Sequence, residues 1–293
     1  LEDKIKQYGN PSKMLQNAQV GPYVFPIAPQ YTNWYEEVKA WREGAVLLNQ
    51  SYHMTDLYVR GPDTVKFLSH IGINSFTNFG RNKAKQLICC NYDGYVIGDV
   101  ILLGLEDDEA LLIGRPPVCN WAAFQAEISD FDVTTEFDIR SLENTDKPRK
   151  LYRYEVQGPK ALDILNEVNE GGELTTKFFN MGEITIAGCK GRTLSHGMGG
   201  AQGLEIWGPY EEGQKVYDRL MEVGEKYGML RAGARAYSCA AMESGWIPSP
   251  LPAIYSGEKM KPYREWLNAN GFEATCSVGG SFQPDNVEEF YLT

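Results

Sequence analysis

Apolar and polar residues alternate through "RYEVQ" (153–157). After Gly158-Pro159 they give way to a stretch whose apolar residues fall three and four apart. Alternation is the period of a half-buried strand, and the wider spacing is that of an amphipathic helix. The order strand, Gly-Pro, helix occurs twice, in "DLYVRGPDTVKFLSHIG" (56–72) and "RYEVQGPKALDILNEVN" (153–169). Proline just inside a helix start is favoured because its missing N–H would have no partner there. A second pair follows in "ALLIGRPPVCNWAAFQAEI" (110–128) and "LEIWGPYEEGQKVYDRLMEV" (204–223), each reading as strand, Gly/Pro turn and helix. Apolar stretches around the turns "NYDG" (86–103) and "AGCKG" (182–196) predict further strands.

Each half therefore predicts strand, helix, strands, strand, helix. This is an α+β unit with a mostly antiparallel sheet, present twice. The seam is "SLENTDKPRK" (141–150), which is polar, carries a Pro and has no periodicity. The expected organisation is a lead-in over 1–50, a first α+β unit over 51–145, its duplicate over 146–250, and an extended tail over 251–293. A helix over 233–245 closes the duplicate. A long structureless tail is unusual in a compact domain, so it is expected to lead toward a further domain outside this chain. With no initiator Met, the chain is expected to be processed, tagged or partial.

Composition narrows the function. No run of roughly 18 apolar residues appears, and the N-terminus has no apolar signal-peptide core. A membrane span and secretion are therefore not expected. The net charge of −11 argues against a nucleic-acid partner, whose phosphates call for Lys and Arg. Six Cys without a CxxC pattern read as free thiols of a cytoplasmic protein. Three His, with no HExxH, predict no metal site.

Several residues are candidates for chemistry, each with a plainer alternative. Glu205 lies among Leu, Ile and Trp on a strand after a Gly-rich turn. Facing inward it needs a partner, such as a planar ligand edge with two adjacent N–H donors; facing outward it is a solvated strand residue. Asp99 in "YDGYVIGDVIL" poses the same choice. His53 is either a hydrogen-bonded structural residue or a site residue. Arg115, between a strand and a Pro-initiated helix, either holds an anion or lies on the surface. His70, at a helix C-terminus, reads as structural, and His196 is undecided. Tyr237 has small neighbours, Ala236, Cys239, Ala240 and Ala241, which leave room around its ring for a ligand; otherwise it is a core aromatic. Trp246 is a stacking wall or a core aromatic.

Ordered motifs running from about residue 10 to the end carry a resemblance. They include "MLQNAQVGPYVFP", "HMTDLYVRG", "NKAKQ", "GYVIGD", "GRPPVCNW", "QGPKA", "KFFNMGEITIAG", "GLEIWGPYE", "RAYS", "ESGWIPSPLPAIYSG", "YREWL" and "GGSF". On these the chain resembles the glycine-cleavage T-protein superfamily of tetrahydrofolate-dependent one-carbon transferases. Within it, the chain is most similar to aromatic O-demethylases of the vanillate, 3-O-methylgallate and syringate type. The resemblance implies duplicated ferredoxin-like α+β units around a central folate channel. It also implies a C-terminal barrel-like domain, which is expected to be missing here because the chain is either a fragment or naturally short.

The resemblance further implies methyl transfer from an aryl methyl ether to N5 of tetrahydrofolate, without metal or flavin. Tyr237 would be the general acid on the phenolate leaving group. Glu205 would grip the pterin, with Trp246, Gln157 and Asp99 near the folate. His53, Arg115, Gln50 and Phe25 would line the aromatic pocket. Two departures stand out: Gly98 replaces the neighbour of Asp99 in the T-protein Asp pair, and Phe25 replaces a tyrosine of the vanillate enzymes. The implied partners are a small aromatic substrate and folate, in a monomer or homodimer. The alternatives are a related demethylase or aminomethyltransferase of a non-aromatic substrate, or a folate binder without turnover. The last is disfavoured because "SHGMGGAQGLE" lacks the Cys of the iron–sulfur assembly members' signature.

Overall fold

The computed structural model describes residues 1–16, 26–141, 147–197, 200–245 and 253–275. Short helices α1 (Glu2–Tyr8), α2 (Pro11–Gln16) and α3 (Trp34–Glu43) lead to strand β1 (Val46–Asn49). The first unit runs β2 (Thr55–Arg60), α4 (Thr64–Ile71), β3 (Ala84–Cys90), β4 (Val96–Glu106), β5 (Glu109–Gly114), α5 (Pro116–Ile128), β6 (Thr134–Asp138). The second runs β7 (Leu151–Gln157), α6 (Ala161–Val168), β8 (Met181–Ile186), β9 (Cys189–Leu194), β10 (Gly203–Pro209), α7 (Gly213–Glu225), β11 (Leu230–Arg231). Then come α8 (Ala234–Glu243), α9 (Lys261–Trp266) and α10 (Phe272–Thr275).

The duplication is visible in the sheets. The first has strand order β3-β4-β5-β2-β6 and the second β11-β1-β7-β10-β9-β8. The two orders match if β1 is taken as a strand inserted between β7 and β11. β1 pairs antiparallel with β7 and parallel with β11. A strand in the lead-in of the sequence thus belongs to the second unit's sheet.

The Gly-Pro repeat differs in one detail from its expected geometry. The prolines lie in the turn before each helix rather than inside it. Thr64 N–H donates to the Gly61 carbonyl at 3.1 Å and Ala161 N–H to the Gly158 carbonyl at 3.0 Å. Pro occupies the second turn position, where its fixed φ is already suitable. The glycines have φ of 140° and 125°, a region open to Gly and costly for other residues.

The sheets face each other through Tyr58, Leu103, Leu111 and Ile113 of the first and Met181, Leu194 and Trp207 of the second. Helices cover the outer faces. Tyr152, Tyr154 and Val156 of β7 pack under α6 and α7, and Leu57, Val59 and Leu112 pack under α4 and α5. Where the sequence reads as an extended tail, residues 253–275 form helical turns. Tyr255, Met260, Tyr263 and Leu267 join the first unit's core, together with Leu1, Met14 and Leu15. At the end of the seam, Arg149 is 5% exposed and pairs with Asp56 and Asp138 of the first unit. α3 and α8 pack through Trp41, Ala236 and Ala240 onto Val46 and Leu48, which sets α8 across the end of the inter-sheet space. No helix among the described residues is long and apolar enough to cross a membrane.

Candidate active site

The alternation of β7 builds the floor of the site. Tyr152, Tyr154 and Val156 face the helices, so Arg153, Glu155 and Gln157 face inward, and all three are buried. In the antiparallel register Glu205 of β10 lies directly opposite Glu155. Like charges so placed repel, and the surroundings compensate. Arg153 Nε lies 3.0 Å from Glu205 Oε1, an ion pair without hydrogen-bond alignment. Arg153 Nη2 also donates to both oxygens of Asp56 at 3.0 and 2.9 Å. Arg149 pairs with Asp56 at 3.3 Å and with Asp138 at 3.1 Å. Gln50 Nε2 and Gln157 Nε2 both donate to Glu155.

Burial governs how these groups hold protons. Burial, then the charge of Glu205, pushes the Glu155 carboxyl well above its usual range, against the pull of the two glutamines. Burial also raises Glu205, with Arg153 acting the other way. For Arg153, burial disfavours the charge, but Asp56 and Glu205 outweigh it and raise its pKa. His53 is driven well below its ordinary value by burial and by the nearby Arg153, Arg140 and Arg115. It is therefore neutral at neutral pH. Its Nδ1 lies 3.2 Å from the Gln50 carbonyl, which can only accept, so Nδ1 carries the proton and Nε2 is the acceptor nitrogen. Burial lowers His196 to about 4.

A cavity of about 410 Å³ opens above this floor, within the range of small-molecule sites. It brings together five residues singled out in the sequence: Gln50, Asp99, Arg115, Glu205 and Tyr237. They come from both sheets, the start of α5, and α8. His53 stands behind the wall, edge-on to the Tyr237 ring at 5.7 Å between centroids. Gln157 lies beneath, donating to the His196 carbonyl at 3.3 Å. Asp99 accepts from Gln86, another wall residue. Phe25 and Trp246 lie outside the described residues.

Other residues of the site escape sequence reasoning. Phe178 and Phe179 line the cavity with His196, which the sequence leaves undecided, as a ladder of rings with centroids 4.2 and 5.6 Å apart and planes inclined by 24° and 6°. Phe179 has φ of 55°, unusual for a bulky residue and of a kind that clusters at functional sites. Nothing in "KFFNMG" announces it. Arg153 and Glu155 look like the solvent face of a strand, because alternation does not say whether that face meets water or a second sheet. Among the described residues no group of three or more His, Cys, Asp or Glu is placed to hold a metal ion. Cys89, Cys119 and Cys189 are buried free thiols.

This arrangement can bind a planar ligand with adjacent N–H donors at Glu205. It can hold an anion at Arg115 and present a phenolic proton from Tyr237 in the same cavity. The sequence matches the GCVT N-terminal domain family over residues 13–249. A syringate O-demethylase of Sphingobium sp. (strain NBRC 103272 / SYK-6) is 44% identical, covering 100% of this chain and 64% of the relative. An aminomethyltransferase of Corynebacterium aurimucosum is 29% identical, covering 77% of this chain and 59% of the relative. The crystal structure of glycine cleavage system aminomethyltransferase T from Bartonella henselae has the same fold. Its TM-score is 0.60 at 20% identity, covering 74% of this chain and 56% of that one. The chain thus spans less than two thirds of the length of these relatives.

Proposed function

Because the chain belongs to the GCVT N-terminal domain family, we propose that its cavity moves the methyl of an aryl methyl ether to N5 of tetrahydrofolate. The ether is a methoxybenzoate of the syringate kind. The observation that carries the reading is the convergence of Glu205, Arg115 and Tyr237, far apart in the chain, on one cavity.

Tetrahydrofolate supplies the acceptor nitrogen, and its pterin edge fits the buried Glu205 carboxylate. Arg153 already engages Oε1 of Glu205 and holds the group in place. Two N–H donors of a planar ring suit a carboxylate better than a single donor does. Arg115 binds the benzoate carboxylate. His53, neutral and buried behind the wall, supports the substrate side without adding a charge. Packed edge-on to Tyr237, it also steadies the phenol ring.

In the transfer the ether C–O bond breaks, the methyl bonds to N5, and the N5 proton is released. The ether oxygen leaves as a phenol by taking the Tyr237 proton, and Tyr237 is reprotonated from solvent. A tyrosine hydroxyl, with an ordinary pKa near 10, is matched to a phenolate leaving group. Holding the two reactants in line supplies much of the remaining rate.

The test mixes the protein with tetrahydrofolate and syringate or vanillate without oxygen, and follows phenol and 5-methyltetrahydrofolate by chromatography. Equal amounts of the two products are expected. Tyr237→Phe should lower kcat by about 10²- to 10⁴-fold while folate still binds. Folate binding with no product from any methoxyarene would exclude the reading for this chain.

A further inference from the structure

Glu155 is fully buried and touches two glutamines on different elements. Gln50, just after β1, donates to Oε2; Gln157, at the end of β7, donates to Oε1. Gln50 lines the cavity. Gln157 also donates to the His196 carbonyl at 3.3 Å, and His196 and Gly197 line the cavity too. His196 Nδ1 lies 3.9 Å from Glu155 Oε1. One carboxyl therefore braces two parts of the wall that are separated by more than a hundred residues in the chain.

The direction of a primary amide is set by its partners, because its NH2 and C=O ends have nearly the same shape. Both oxygens of Glu155 accept here, from Gln50 Nε2 and from Gln157 Nε2. With its NH2 group turned to Glu155, the Gln50 carbonyl oxygen faces elsewhere. A neutral amide at position 155 would present one acceptor and one donor. At most one glutamine could then keep its orientation.

We propose that Glu155 is a positioning residue that fixes the amide of Gln50 and, through Gln157, the seat of His196 and Gly197. By this means it sets the hydrogen-bonding pattern that the cavity shows to its ligands. The proposal rests on the reading of the cavity as the methyl-transfer site. Its orientation claim, however, is testable without ligand.

The experiment uses the full chain, Glu155→Gln, and the reversed pair Glu155→Gln with Gln50→Glu. Side-chain amide resonances of Gln50 and Gln157 are recorded by ¹H–¹⁵N NMR, assigned with Gln50→Leu and Gln157→Leu. In the wild type both should be shifted and slow to exchange with solvent. In Glu155→Gln at least one should revert to ordinary positions. KM for the methoxybenzoate or for tetrahydrofolate should then rise by about ten- to a hundredfold, the range for a misplaced charge-assisted hydrogen bond, with kcat little changed. The reversed pair should recover Tm, because an amide–carboxylate contact is restored. Its KM should stay high, because the cavity now meets a carboxylate in place of the Gln50 amide.

Unchanged amide resonances in Glu155→Gln would overturn the proposal. So would a KM that recovers together with Tm in the reversed pair, the mark of a purely structural role. If the wild type turns nothing over, the proposed function fails, and the amide resonances still decide the orientation claim.

Discussion

Replacing Arg115 by Met removes a guanidinium from the cavity wall while keeping most of the side chain's length. For methoxybenzoates, Arg115→Met should raise KM by about ten- to a hundredfold, the range for one lost charge-assisted hydrogen bond. For a methoxyarene without a carboxylate, KM should hardly change. Steady-state kinetics on the two substrate types checks this, and equal effects on both would count against a carboxylate partner. His196 makes a different kind of prediction. Its folded pKa is about 4, below its ordinary value of 6.5. Between these values the unfolded chain binds more protons, so stability is lost as pH falls from 6.5 toward 4. The loss attributable to His196 amounts to at most about 3 kcal/mol. Glu155 and Glu205, whose carboxyls are raised, act oppositely from pH 4.5 upward. The informative quantity is therefore the difference between wild type and His196→Asn. In urea unfolding at pH 4.5 and 7.5, the variant should lose less stability on acidification.

The strands that carry the site tolerate little change where they approach closely. A Cβ on Gly203, at the start of β10, would lie 2.1 Å from the Val156 carbonyl oxygen. Gly203→Ala must push β10 from β7 just beside Glu205 and Glu155. A cost of about 1–3 kcal/mol is expected for such overpacking, together with weakened folate binding. Gly80→Ala is the matched control, since its Cβ would meet nothing within 4 Å. It should stay within about 0.5 kcal/mol of wild type. Thermal unfolding of the two variants side by side makes the comparison. Much at this level is legible in the sequence. The repeated Gly-Pro marks equivalent turns, and "GRPP" places Pro116 and Pro117 in the first turn of α5 as expected. The membership of β1 in the second sheet is not legible. Three apolar residues, Val46, Leu47 and Leu48, record a buried strand but not its neighbours.

The two units are locked together by charge as well as by apolar contact. Asp56, on the first sheet, pairs with Arg153 of the second and with Arg149 of the seam. Asp56→Ala leaves both guanidiniums short of a buried partner, which costs about 3–5 kcal/mol. Equilibrium urea unfolding should show this loss, and a value near zero would mean that water replaces the carboxylate. The case also separates two kinds of information. Strand and helix periods, turn chemistry and the internal repeat are local, so the sequence alone yields two α+β units and places Tyr237 on a closing helix. The motif resemblance implies the site roles proposed for Glu205, Arg115 and Tyr237. What it cannot convey is which faces meet. Arg153 and Glu155 alternate with Tyr152, Tyr154 and Val156 in the way solvent-facing residues do. Only the packing of the first sheet against that face makes them a buried network. Burial in turn sets their proton affinities, because the cost of a charge depends on what surrounds it in space and not on its neighbours in the chain.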